Sequence, residues 1–266
     1  MHTGGIEPAR SRPRPPGWRG RKVVYLRERS LIMLKKDLIL RNPLRLMGRE
    51  TGHVLSEGGF GAVVARAGVG KTALLVQLAL DHLLRGEDVL HVSLDQPVKK
   101  VCLWYDEVFR HIRDQYELPQ AEELWESILP HRFIMTFNVD GFSVPKLEER
   151  VTDLTAQGLF EPQVLLVDGL PFDEAVREPL SEMKIFVREQ GLRAWFSARA
   201  HRSAKPGEAA LAAPLADVAD FFEVILQLTP KGPEVEVQAA KMPEGAAAEG
   251  GIVLDPNTLL IKNKKG

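Results

Sequence analysis

Two short stretches of the chain hold residues whose types and spacing can do chemistry. The first is Ala65-Arg66-Ala67-Gly68-Val69-Gly70-Lys71-Thr72, small residues followed by a cation and a hydroxyl where an apolar-periodic helix begins. In such a loop the backbone N–H groups of Ala67, Gly68, Val69, Gly70, Lys71 and Thr72 turn inward. They form a nest at the positive end of the helix, where phosphates are favoured. Lys71 is then placed to reach β- and γ-phosphates, and the Thr72 hydroxyl to supply one ligand to Mg²⁺. Ala65, standing where the usual pattern has Gly, costs little: it ends the strand, and a methyl group is accepted at negative φ.

The second stretch is Val164-Leu165-Leu166-Val167-Asp168. An uninterrupted apolar run suits a parallel strand covered on both faces, and its terminal carboxylate emerges at the carboxyl edge where ligands bind. Paired with Lys71 and Thr72, Asp168 is expected to act as the magnesium acid, accepting a hydrogen bond from Thr72. These residues imply a nucleoside-phosphate site. A chance turn of small residues is the bland alternative, and the flanking strand and helix argue against it.

These side chains need an alternating scaffold, and the pattern supplies one. From about residue 58, short apolar runs alternate with amphipathic stretches, which predicts an α/β fold with a mainly parallel twisted sheet flanked by helices. Strands are expected near 60–65, 88–93, 132–136, 163–167, 193–197 and 222–228. A helix is expected over about 71–85, stopped by Gly86. Another is expected over 98–116, where Val98, Val101, Cys102, Tyr105, Val108, Phe109, Ile112 and Tyr116 form one apolar stripe that reads as core. The runs "PEVEVQAAKM" and "GIVLDPNTLLI" predict a carboxy-terminal antiparallel hairpin. His91, alone inside a strand, reads as structural.

Composition narrows the classes. The 266 residues are 44% hydrophobic and 27% charged, with one cysteine, Cys102, so no internal disulfide forms. No apolar run has the length of a membrane span or the layout of a signal peptide, and a cytoplasmic location is expected. The net charge of −1 conceals an asymmetry: residues 1–50 hold 13 Lys/Arg against 4 Asp/Glu, whereas the remainder holds 22 against 32. Residues 1–32, rich in Pro, Arg and Gly, are expected to be disordered. They read either as a basic arm contacting nucleic-acid phosphates or, the favoured reading, as residues upstream of a true start at Met33; a transit peptide is a third option. Residues 33–57 form a lead-in to a nucleotide-binding domain over 58–266.

The chain from about residue 57 resembles the RecA superfamily of P-loop ATPases, particularly its KaiC-like and replicative DnaB-type helicase branches. The two phosphate motifs match the family's Walker A and Walker B segments. "VLHVSLDQP" resembles the segment that places the catalytic base, "AWFSARAHR" the strand whose end senses the γ-phosphate, "DVADFFEVILQL" the Ala-Asp entry to the next strand, and "VQAAKMPEG" the Lys-x-Arg strand end. The resemblance implies a RecA-like fold, ATP and Mg²⁺ as cofactors, and self-association through a subunit interface. It also implies Asp95 as the base, Ser197 at the sensor strand and Lys241 as a contact to a neighbouring subunit's nucleotide; read from the residues alone, Asp95 also fits a loop acid after a strand and Lys241 a solvated edge residue that discourages strand addition. Three positions depart from the family. Asp95 stands where the family has Glu, one methylene shorter; Gln96 beside it can orient a water but is a poor base. Ala198 replaces the sensor Gln, with Arg199 or His201 as substitutes, and Ser197, His201 and Arg202 otherwise read as polar residues closing a strand. Pro243 replaces the Arg that neighbouring subunits insert as a finger.

Three functions follow as expectations: a slow Mg-dependent ATPase that self-associates, a nucleotide-dependent regulator without appreciable turnover, and a nucleic-acid-processing relative. The acidic body, without aromatic and basic interleaving, offers no evident groove for single strands. A kinase ranks last, since no arginine cluster for a lid occurs between about 115 and 160. No Asn-Lys-x-Asp segment is present, which favours adenine over guanine.

Overall fold

A computed structural model describes residues 30–39, 53–200, 215–243, 252–258 and 260–263. The expected basic extension therefore lies outside the described residues up to position 29, as do His201 and Arg202. Helix α1 covers residues 30–39 and crosses the boundary expected at 32/33, burying Leu38 against the first of two cores with Leu31, Leu34 and Ile39 packed beside it.

The chain then alternates: β1 (Phe60–Ala65), α2 (Lys71–Leu84), β2 (Val89–Ser93), α3 (Val98–Tyr116), α4 (Ala121–Ile128), β3 (Arg132–Thr136), α5 (Val144–Ala156), β4 (Val164–Asp168), α6 (Arg177–Glu189) and β5 (Arg193–Arg199). Strands β6 (Val224–Lys231), β7 (Glu234–Lys241), β8 (Ile252–Leu254) and β9 (Ile261–Asn263) follow. All nine form one sheet in the order β3-β2-β4-β5-β1-β6-β7-β8-β9. β1 to β6 are parallel, and β6 to β9 pair antiparallel.

That order decides where helices lie. From β1 the chain moves toward β2 and β3, and from β3 it returns through β4, β5 and β6. With right-handed crossovers the outgoing helices cover one face and the returning ones the other. The two cores obey this: Leu74, Val101, Tyr105 and Leu124 from α2, α3 and α4 pack with Val63 and Trp195, whereas Leu147, Leu180 and Met183 from α5 and α6 pack with Ala62 and Phe196. Covered on both faces, β1, β2 and β4 are buried throughout.

Helix α2 buries 11 of its 14 residues, as expected of a helix wedged between sheet and α3, and ends where Gly86 takes φ +81°. Of the α3 stripe, Val101, Tyr105, Val108 and Phe109 are buried, while Val98 in the first turn is exposed. The carboxy-terminal region is more extensive than a single hairpin. β6 and β7 are joined by a two-residue turn with Gly232 at φ +64°, the positive φ that such turns require, and β8 and β9 extend the sheet. His91 is fully buried, its Nδ1 3.1 Å from the Tyr105 hydroxyl; burial and the Arg132 charge depress its pKa to about 3, so it packs as a neutral core side chain. Among the described residues no helix is long and apolar enough to cross a membrane.

Candidate functional site

The site begins where β1 gives way to α2. β1 ends at buried Ala65, and residues 66–68 are exposed, so the loop is open to ligand from above. Gly68 and Gly70 take φ +78° and +109°, values that reverse the chain within the loop and that L side chains rarely adopt. Gly70 caps α2 by backbone alone: its carbonyl accepts the Leu74 N–H at 3.0 Å, the first bond of the helix. The amides of Lys71, Thr72 and Ala73 thus precede the hydrogen-bond ladder. The first turn holds no acidic residue to offset the positive helix end.

Lys71 is half-buried and folds across the loop, its Nζ donating to the carbonyls of Ala65 at 3.2 Å and Arg66 at 3.3 Å. Burial, and secondarily the Arg199 charge, lower its pKa, while the carboxylates of Asp168 and Asp95 pull it back up. The Thr72 hydroxyl donates to Asp168 Oδ2 at 2.9 Å, joining residues 96 positions apart. Asp168 is buried at the end of β4, opposite Ser93 on β2.

Two further strands converge on this carboxylate. β5 lies between β1 and β4, so its end stands between the loop and Asp168: Ala65 is in register with Arg199, and the Ser197 hydroxyl accepts the Gly169 N–H at 3.0 Å. Ser197 therefore fixes the backbone behind Asp168, while exposed Arg199 sits near enough to Lys71 for their charges to repel. Ala198 is fully buried against the second core and presents no polar group.

From β2, Asp95 arrives on the far side. A methyl group built on Gly169 would lie 3.0 Å from Asp95 Cγ, which places the carboxyl directly over the turn that follows Asp168. Asp95 is exposed at the rim, and burial of its inner side and the Asp168 charge raise its pKa. Gln96 is held away by Trp104, whose Nε1–H donates to its side-chain oxygen at 3.2 Å. A cleft of about 280 Å³ continues outward from Leu94, between Phe142 and Val144 on one side and Leu170, Pro171 and Val176 on the other.

Ala67 to Thr72, Asp95, Asp168 and Ser197 are thus brought to one carboxyl edge. Lys241 is not. It pairs with Ile225, near the start of β6, and its Nζ donates to the Ala219 carbonyl at 2.8 Å. Ile225 faces Ala62, three residues or roughly 10 Å before the loop, so Lys241 and Pro243 stand at the opposite sheet edge from the loop of residues 66–70. Leu254, on β8, is a residue that sequence patterning does not flag: its Cδ2 lies 2.8 Å from where a Gly70 Cβ would be.

The donor set fits a divalent cation that prefers oxygen. The Thr72 hydroxyl and the Asp168 carboxylate meet beside the glycine-bent loop, and the Asp95 carboxylate stands close with Lys71 and Arg199 as cations of the site. Compared with protein-family models and with curated proteins, the chain matches none.

Proposed function

We propose that this chain is an Mg-ATP-binding protein of RecA-like type that self-associates and hydrolyses ATP slowly. The observation that carries the reading is the Thr72–Asp168 hydrogen bond of 2.9 Å at the mouth of a glycine-bent loop closed by Lys71. The insertion of β5 between the loop strand and the Asp168 strand supports it, because it lines up the sensor-like Ser197 and Arg199 between them.

In this reading the amides from Ala67 to Thr72 hold the phosphates, and Lys71 leaves its loop carbonyls for β- and γ-oxygens. Thr72 directly, and Asp168 through water, would hold Mg²⁺, which supplies charge neutralisation on the phosphates. Asp95 accepts the proton of the attacking water as the bond to the leaving ADP oxygen breaks. Arg199 offers a cation from the same chain, in partial compensation for Pro243, where a neighbouring subunit's arginine would otherwise act. Lys241 serves only an adjacent copy's nucleotide, so its role requires assembly.

Replacing Asp95 by Asn tests the catalytic half with two readouts. Asn cannot take a proton, so phosphate release falls roughly 10²-fold. The nucleotide-free chain moves the other way. Because burial and then Asp168 raise the folded pKa of Asp95 above its unfolded value, the folded state holds an extra proton between the two values. Stability therefore falls as pH rises through that window, and at neutral pH the charged carboxylate is unfavourable. Asp95→Asn removes this cost and raises the Tm by about 1 °C, small because the group is solvent-screened.

The second reading, a nucleotide-dependent regulator, is favoured by one observation: Ala198 and Pro243 leave two polar positions of the family empty. Turnover at background in the wild type, with ATP still bound, would select it. Stimulation of turnover by single-stranded DNA or RNA would instead promote the nucleic-acid-processing reading.

A further inference from the structure

At the opposite edge of the sheet, about 21 Å along α2 from the phosphate loop, three side chains converge that the nucleotide site does not use. His53 comes from the segment leading into β1, His82 from the last turn of α2, and Glu87 from the turn into β2. Their ligating atoms all lie within 4.8 Å of one another, and among the described residues this is the one such group of three. Each Glu87 oxygen faces a different imidazole: Oε1 lies 3.0 Å from His53 Nε2, and Oε2 contacts His82 Nδ1.

We infer that His53, His82 and Glu87 form a binding site for a borderline divalent cation of the Zn²⁺ class, with one position left to solvent. The geometry is compatible. Tetrahedral coordination at zinc–nitrogen and zinc–oxygen distances near 2.0–2.2 Å requires ligand atoms about 3.3–3.5 Å apart, so small rotations of three side chains suffice. The imidazole rings stack nearly parallel, 11° apart with centroids separated by 5.7 Å, and both turn a ring nitrogen to the Glu87 carboxylate. Two imidazoles with one carboxylate select a first-row metal over Mg²⁺ or Ca²⁺, which take oxygen sets.

The backbone builds this arrangement. Gly86 at φ +81° turns the chain so that the Glu87 N–H donates to the His82 carbonyl at 3.1 Å, folding the carboxylate back over the helix end. The lead-in is held by Arg193, whose Nε donates to the Leu55 carbonyl at 3.2 Å, and by the Gly58 N–H on the Leu192 carbonyl at 2.7 Å. The nearby guanidiniums are engaged elsewhere, Arg193 with Glu57 at 3.5 Å and Arg85 with Asp81 at 2.8 Å. A bound ion would clasp the lead-in to the far end of the helix whose first turn forms the phosphate site.

The test uses the untagged full chain stripped with a chelator and titrated with Co²⁺, followed by its visible d–d absorption. One equivalent should bind with the intense bands of tetrahedral cobalt and be displaced by Zn²⁺. Saturating Zn²⁺ should raise the Tm by about 5 °C. His53→Ala and Glu87→Gln should each weaken Co²⁺ binding at least 100-fold, while Lys71→Ala and Asp168→Asn leave it unchanged. His53→Ala alters only the lead-in, and circular dichroism checks that both variants remain folded. Absence of saturable binding overturns the proposal, as does binding that survives His53→Ala and Glu87→Gln; either result would mean that the three residues form a hydrogen-bonded cluster without metal.

Discussion

Gly70→Val is expected to lower the Tm by about 4–20 °C and to abolish ATP binding. Two independent costs meet at this position. Gly70 has φ +109°, where a β-branched residue is strained, and its new Cβ would stand 2.8 Å from Leu254 Cδ2. The left-handed backbone costs roughly 1–2 kcal/mol, and overpacking against a buried side chain typically adds 1–3 kcal/mol. A total of about 2–5 kcal/mol converts at roughly 2–4 °C per kcal/mol for a domain of this size. The loss of binding follows separately, because relief of the strain requires the loop to flatten and turn its amides out of the nest. Gly158→Ala is the comparison: it takes φ +64° with nothing within 4 Å, so only the backbone cost applies and ATP binding is unchanged. Thermal unfolding and nucleotide titration of both variants separate the two effects.

Asp168→Asn has the second largest expected effect, and it falls on the metal rather than the fold. The side-chain amide oxygen can still accept the Thr72 hydroxyl, which now bonds at 2.9 Å, so the half-buried hydroxyl keeps a partner and the chain remains folded. What disappears is the buried negative charge that would draw Mg²⁺ to the loop. In the wild type, ATP affinity should rise with added Mg²⁺; in the variant it should become independent of Mg²⁺, and phosphate release should fall at least 10²-fold. Titrating ATP with excess Mg²⁺ and again with chelator, on both proteins, reads this directly.

Both predictions rest on a loop that local sequence makes legible. The run of small residues before Lys71 and Thr72 signals a bent backbone because glycine alone accepts those φ values cheaply, and Val164 to Asp168 signals a buried strand because nothing polar interrupts it. The stripe on α3 is legible for the same reason, local periodicity. Long-range placement is not encoded in spacing. Nothing in "AWFSARAHR" reveals that β5 slots between β1 and β4, so Ser197 could be aligned with a family segment but not seen to hold the Gly169 amide. Lys241 is similar: alternation identifies its strand, while the register that sets it at the amino edge arises from the β6–β7 hairpin and the irregularity beside Ile225. The Lys-Gly-Pro-Glu sequence at 231–234 carries a turn signal and joins β6 to β7, while Asp255 to Thr258 break what reads as one terminal run into β8 and β9, so the expected hairpin becomes part of a four-strand antiparallel extension. Leu254 and the cluster of His53, His82 and Glu87 had no local signal, since each depends on segments that meet only in the folded sheet.

The sheet also explains how binding and turnover come apart. On the proposed reading, the groups that would hold phosphate and metal lie in one strand–loop–helix unit and at the neighbouring Asp168, whereas those that would accelerate hydrolysis would come from β2, from β5 and from another copy of the chain. On that reading Asp95, Ala198 and Pro243 would lower turnover without altering the loop of residues 66–70.

The central claim is that the loop binds nucleotide through Lys71. Equilibrium binding of labelled ATP to the purified wild type and to Lys71→Ala tests it most directly. Removing a charge-assisted contact to phosphate costs about 1.5–3 kcal/mol, so saturable wild-type binding should weaken roughly 10- to 150-fold in the variant while its circular dichroism is retained. Failure of the wild type to bind ATP, or equal binding by Lys71→Ala, would contradict the account.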